Sequence, residues 1–113
     1  MNEASRAIRF SSIKDIGCIC CRLNGHDWTY ADVHHQLTTG FHGNGKRLGD
    51  KFTIGLCKWH HVGVRDQSCH WAEGPSYAKQ AAEFRQHYGS DAELLAIQEE
   101  FLKAVAPMFG GYQ

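Results

Sequence analysis

Two short pairs restrict this chain more than anything else in it: Cys18-x-x-Cys21 and Cys57-x-x-His60, separated by 35 residues. Thiolate and imidazole at two-residue spacing are the donors a tetrahedral zinc ion takes, and two such pairs fill its four positions. A chain tied in this way must bring residue 18 to residue 57 whatever else it does. The second pair follows a stretch in which Phe52, Ile54 and Leu56 alternate with Thr53 and Gly55. Alternation predicts a strand, and Lys58 to about Arg65 a short helix. Choosing Cys18 over Cys20 rests on spacing alone, and Cys20 and Cys69 are read as core thiols. The competing reading makes Cys18 and Cys21 buried hydrophobes and His60 a surface residue.

With 113 residues and 42% hydrophobic side chains, the chain is expected to form one small domain with a packed core. Its five cysteines are an odd number, and MNEASRAIRFSSIKDIG lacks the apolar stretch of a secretory signal. Both points argue against a disulfide framework and for metal ligation in a reducing, cytoplasmic setting. No apolar run approaches the ~18 residues of a membrane span, so no membrane partner is expected. Net charge is +0, yet the charges are segregated. Lys46, Arg47, Lys51, Lys58 and Arg65 stand against Asp50 around the histidine pairs, where a phosphate backbone would need them.

Residues 1–16 read as an N-terminal arm, with Ile8 and Phe10 alternating as in a short strand. Gly17 to Cys21 reads as a tight zinc knuckle and Asn24-Gly25 as a type I′ turn. A first strand around Tyr30 and Val33 precedes an exposed glycine-rich loop, Thr38 to Asp50. After a loop over Asp66–Gly74, Pro75 and Ser76 start a helix with Tyr77, Ala81, Phe84 and Tyr88 on one face. Ser90-Asp91-Ala92-Glu93 is a capping box for a second helix with Leu94, Ile97, Phe101 and Val105 in a stripe. Pro107 and the glycines after it are expected to end that helix in a flexible tail, 107–113. Both C-terminal helices read as scaffold.

A second group of imidazoles remains: His34 and His35, His61, and with them His70. Neighbours on a strand point to opposite faces, so one of His34 and His35 can ligate a metal while the other faces a water. On a helix, His61 lies about 100° round from His60. One helix can therefore serve two metals. A second metal with open positions can act as a Lewis acid at a phosphoryl oxygen, and a histidine suits the base that activates water.

Cys18-x-x-Cys21, Asp32-Val33-His34-His35 and Leu56-Cys57-x-x-His60-His61 together resemble the HNH endonuclease pattern. With HHQLTTG, IGLCKWHH, CHW and EFRQHYGSDAELL, the chain resembles more closely the recombination-enhancement, RecA-dependent nuclease (Ref) family of that superfamily, over about residues 17–102. The resemblance implies an α+β fold: a small ββα-metal finger with a zinc knuckle, then two C-terminal helices, with a nuclease domain over 17–106. It makes His34 and His61 ligands of a catalytic divalent metal (Mg²⁺, Mn²⁺ or Zn²⁺) and His35 the general base. Arg65 stands where the pattern carries a further ligand, for which His70 is the substitute, and Asn44 is the candidate middle Asn. The resemblance also implies a long basic N-terminal extension; about seventeen residues stand before the knuckle here, carrying Arg6, Arg9 and Lys14.

The expected function is a phage- or prophage-encoded, metal-dependent DNA endonuclease linked to recombination. Cys18, Cys21, Cys57 and His60 hold structural zinc, and Lys46, Arg47 and Lys51 contact DNA phosphates. A RecA–DNA filament is the partner the resemblance suggests. The alternative is a non-catalytic zinc module that binds nucleic acid or a protein; for such a module His34, His35 and His61 are surplus.

Overall fold

Asn2 opens the first helix, its Oδ1 accepting the Ser5 backbone N–H at 2.8 Å, with Glu3 in the first turn and Lys14 in the last. The computed structural model describes residues 2–37 and 46–109, the side chains of 105–109 excepted. Helix α1 covers Glu3–Ile16. The strand-like reading of the N-terminus is thus corrected: Arg9, Ser12, Ile13 and Ile16 are buried at helical spacing, and Ile8 is exposed.

Arg9 explains why the alternation misled. It is only 2% exposed. Its guanidinium donates to Thr53 Oγ1 (2.9 Å) and the Thr53 carbonyl (2.8 Å) and pairs with Glu99 (2.8 Å). A charge is affordable inside when every donor finds an acceptor.

Strands β1 (Asp32–His35) and β2 (Thr53–Leu56) form a two-stranded antiparallel sheet, with His34 opposite Ile54 and His35 opposite Thr53. All four β2 residues are buried. Gly55 is required by close approach: a Cβ there would lie 2.9 Å from Ile13 Cγ2 and 3.0 Å from the Gly17 carbonyl. The edge of β2 away from β1 is closed by side chains, Gln98 joining Arg9 there. Gln98 accepts from Gly55 N–H and donates to the Thr53 carbonyl, both at 2.8 Å, in place of a third strand.

Three short helices and one long one complete the chain: α2 (Ile19–Leu23), α3 (Lys58–Val62), α4 (Ala81–Tyr88) and α5 (Asp91–Phe109). The zinc-knuckle segment is therefore a helical turn. Asn24 has φ −79°, which excludes a type I′ turn, where both central residues need positive φ. Helix α3 stops at Gly63, short of Arg65. Residues 77–79 form a turn, so α4 begins later than Pro75 suggests. The capping box is present: Ser90 N–H donates to Glu93 Oε1 (3.0 Å) and Glu93 N–H to Ser90 Oγ (3.2 Å). The fully buried line of α5 is Leu94, Gln98 and Leu102, with Ile97 and Phe101 beside it half-buried. Helix α5 runs through Pro107 to Phe109.

The larger core packs Ile54, Leu56, Tyr77, Phe84, Tyr88 and Leu94 around the cysteines of α2 and α3; a smaller one joins Ile13, Ile16 and Leu102. Helix α1 lies on both β1 and β2 and against α5. Among the described residues no helix is long and apolar enough to cross a membrane.

Candidate active site and metal centre

The same local device occurs twice. Cys18 is the N-cap of α2, its Sγ accepting the Cys21 N–H at 3.5 Å. Cys57 is the N-cap of α3, its Sγ accepting the His60 N–H at 3.5 Å. The first member of each pair is thus a cap, and the second sits three residues on, where the capped N–H belongs. Two-residue spacing and thiolate-stabilising helix starts are one feature.

Across the pairs, His60 Nδ1 lies 3.5 Å from Cys18 Sγ, 3.6 Å from Cys21 Sγ and 3.2 Å from Cys57 Sγ, and Cys21 Sγ is 3.9 Å from Cys57 Sγ. All four ligand atoms fall within 4.8 Å of one another and are buried, so the group could hold a metal ion. A tetrahedral ion with bonds of ~2.3 Å to sulfur and ~2.0–2.1 Å to nitrogen has S···S edges of roughly 3.8 Å and S···N edges of roughly 3.5 Å. The residues fit such an ion.

Electrostatics agree. Burial alone would raise the Cys18 thiol, but hydrogen bonds from Cys20, Cys21 and His60 bring it down to about 6. Cys20, by contrast, is pushed up by burial and by Cys18, so it stays protonated and donates its S–H to the Cys18 sulfur. Burial lowers His60, while the surrounding sulfurs raise it further. Nε2 of His60 lies 2.6 Å from the Glu73 carbonyl and 3.0 Å from Tyr88 Oη. The carbonyl needs a donor, which puts a proton on Nε2 and leaves Nδ1 to the sulfurs, as their hydrogen-bond donor or, with its proton displaced, as a metal ligand.

The second group of histidines divides by face. His34 Nδ1 meets His61 Nε2 at 3.2 Å, and the His34 ring packs on Tyr77 with centroids 4.8 Å apart. The 3.2 Å separation is an imidazole–imidazole hydrogen bond, and it also falls within the roughly 2.8–3.4 Å that separates two nitrogens on one ion at octahedral to tetrahedral angles. His35 turns the other way, edge-on to Phe10 of α1 at 6.0 Å. Burial, then the Arg47 cation, holds its pKa below the ordinary histidine value, against a smaller pull from Asp50. A neutral imidazole results. Its Nδ1 is buried without a hydrogen-bond partner among the described residues.

A family model described as recombination enhancement, RecA-dependent nuclease matches residues 3–103. The chain belongs to this family. Searches of the curated proteins and of the solved structures find no match. The match takes in α1 and most of α5 as well as the histidine and cysteine segments.

Of the expected site residues, Cys18, Cys21, Cys57 and His60 come together, as do His34 and His61, and His35 adjoins the pair on the opposite strand face. His70 does not join them in a group of three; among the described residues the only such cluster is the cysteine–histidine one. His70 is exposed, edge-on to Trp71 at 4.7 Å, with Nδ1 3.4 Å from the Gln67 carbonyl. Asn44 lies outside the described residues. Lys46, Arg47 and Lys51 are exposed, Arg47 in a bridge with Leu37 at the end of the β1–β2 connection.

Sequence reasoning missed Tyr88, assigned to scaffold although its hydroxyl reaches His60, Asn24 and the Glu73 carbonyl. Gly74 lets it in: a Cβ at that position would collide with the Tyr88 hydroxyl. The one available signal was the spacing of Phe84 and Tyr88, which a buried helix face accounts for equally well.

Proposed function

We propose that this family member is a metal-dependent HNH-type DNA endonuclease in which Cys18, Cys21, Cys57 and His60 hold structural zinc and His34, His35 and His61 form the reaction centre. The observation that carries the reading is the opposition of His34 and His61 at 3.2 Å, with His35 adjoining on the other face of β1. Strand β1 supplies His34 and His35 and helix α3 supplies His61, with β2 pairing β1 and leading into α3, the strand–strand–helix order of a ββα-metal finger.

His34 and His61 would hold the catalytic divalent ion, which when bound supplies a Lewis acid at the phosphoryl oxygens and the leaving oxygen. His35 accepts the proton of the attacking water as its oxygen adds to phosphorus. The bond from phosphorus to the leaving oxygen then breaks. A base near neutral pKa suits this step, and burial beside Arg47 keeps His35 unprotonated at neutral pH. Arg47, with Lys46 and Lys51, holds the phosphate backbone across the end of the sheet. Recombination is the setting the family description supplies, and DNA on a RecA filament is the substrate form to be tested first.

The test is nicking of supercoiled plasmid with Mg²⁺, Mn²⁺ or no added metal, with and without RecA filament, for wild type and His35→Ala. Nicking that requires a divalent metal and His35 supports the reading. Inactivity of the wild type under every condition favours the zinc-module alternative.

A further inference from the structure

The β1–β2 connection ends in a tight turn whose two apolar side chains face solvent. Leu48 is 43% exposed and Phe52 40%. Single exposed apolar residues are ordinary, but these two are fixed to one point. Gln36 N–H donates to the Phe52 carbonyl (2.9 Å), and Leu48 N–H donates to the Gln36 carbonyl (3.0 Å). The turn closes on itself through Phe52 N–H to the Gly49 carbonyl (3.1 Å) and Thr53 Oγ1 to the Asp50 carbonyl (2.7 Å). Gln36 is buried, anchored by its side chain to the Asp91 carbonyl at 2.8 Å, and directly follows His35.

Cations frame the pair. Lys46, Arg47 and Lys51 belong to the same segment, and Arg6 of α1 reaches it through Asp50 at 3.9 Å. Four cations against one carboxylate suit a polyanion and disfavour an acid-rich or purely apolar partner. Between Leu48 and Phe52 lies a hollow of about 330 Å³, lined also by Gly49, Asp50 and Lys51. Apolar side chains held on a rigid turn among phosphate-binding cations are the equipment of proteins that wedge open a base step or stack on an unpaired base.

We propose that Phe52 and Leu48 form a wedge that takes an unstacked base step, so that the preferred substrate is DNA already opened near the scissile phosphate. The inference rests on the nuclease reading for its position beside His35, but it concerns binding.

The experiment measures affinity by fluorescence anisotropy, without added divalent metal, for a matched duplex and the same duplex carrying a short mismatched bubble. A 2-aminopurine in the bubble reports stacking. Wild type is expected to bind the bubble roughly 5- to 100-fold more tightly, the scale on which stacking one base on an aromatic ring changes affinity, and to change the 2-aminopurine emission. Phe52→Ala with Leu48→Ala should abolish the preference and the emission change while keeping a cooperative melt, since neither side chain belongs to the buried core. Lys51→Ala should weaken both DNAs alike. A preference that survives in the double variant, no preference in the wild type, or self-association through this face that the double variant abolishes would overturn the wedge. Bubble preference in a protein that cuts nothing would leave the wedge standing and remove the nuclease reading. Equal metal-dependent cutting of both DNAs, unaffected by Phe52→Ala, would do the reverse.

Discussion

Nε2 of His60 lies 2.6 Å from the carbonyl oxygen of Glu73, while Nδ1 of the same ring faces three cysteine sulfurs. The loop carrying Glu73 therefore sets the tautomer of a ligand on α3, and Tyr88 ties α4 to the same ring. Elemental analysis of purified protein should find about one tightly held zinc per chain. Cys57→Ser should aggregate or lose its cooperative melt, because binding energy at such a site is folding energy. Tyr88→Phe should fold but release zinc to a chelator more readily, with affinity down by about 10-fold, the lower end for a lost supporting hydrogen bond. A zinc-free wild type that melts cooperatively would remove the site.

The Arg9–Glu99 pair joins the two ends of the chain beside the sheet. Arg9→Ala strips the Thr53 hydroxyl and carbonyl of their guanidinium donors and leaves Glu99 without the cation. The expected loss of stability is about 3 kcal/mol, the lower end for breaking a buried ion pair, since Glu99 is a third exposed to water. Urea denaturation checks it; a midpoint equal to wild type would mean that the pair is replaceable by water.

The reciprocal cap at Ser90 and Glu93 gives a pH prediction. Glu93 is held below the usual glutamate value by the backbone and side chain of Ser90. A carboxyl depressed in the folded state stabilises fully above its unfolded pKa of ~4.3 and loses that contribution as pH falls through the folded value. Glu93→Gln should therefore melt lower than wild type at pH 7 and converge with it in acid. Ser90→Ala should cost about 1 kcal/mol at neutral pH. A gap for Glu93→Gln that is independent of pH would contradict the cap.

How much of this was legible in the chain follows the reach of each interaction. Cys18 with Cys21, and Cys57 with His60, are read easily because cap and third residue are a local pair. The alternation of Phe52 to Leu56 gives a strand because its period is local too. Helix α1 escapes because its buried stripe includes Arg9 and Ser12, and Arg9 becomes intelligible only beside Thr53 and Glu99. Gln98 escapes for the same reason: in sequence it interrupts an apolar stripe, in space it finishes the edge of β2. Tyr88 has the same spacing whether its hydroxyl meets water or His60.

The basic turn should act through charge. Lys46, Arg47 and Lys51 are exposed, and point charges on a turn touch phosphates without reading bases. Each alanine substitution should flatten the dependence of log affinity on log salt by ~0.9 on duplex DNA. An unchanged slope in the triple variant would move the DNA surface elsewhere.

The proposed reaction centre gives the most exacting prediction. His34 and His35 face apart on β1, and the His61 ring lies against His34. Substitutions at His35 and His61 should therefore fail differently. His35→Ala should keep fold, zinc content and binding of the second metal, and lose roughly 10²–10⁴-fold in cleavage rate, the range for a general base. His61→Ala should lose cleavage together with affinity for the second metal, so that raising the metal concentration restores part of its rate and none of the rate of His35→Ala. Calorimetric titration of Mn²⁺ into both variants separates the two effects. The division of roles is wrong if His35→Ala nicks plasmid at the wild-type rate, or if His61→Ala binds Mn²⁺ as tightly as wild type.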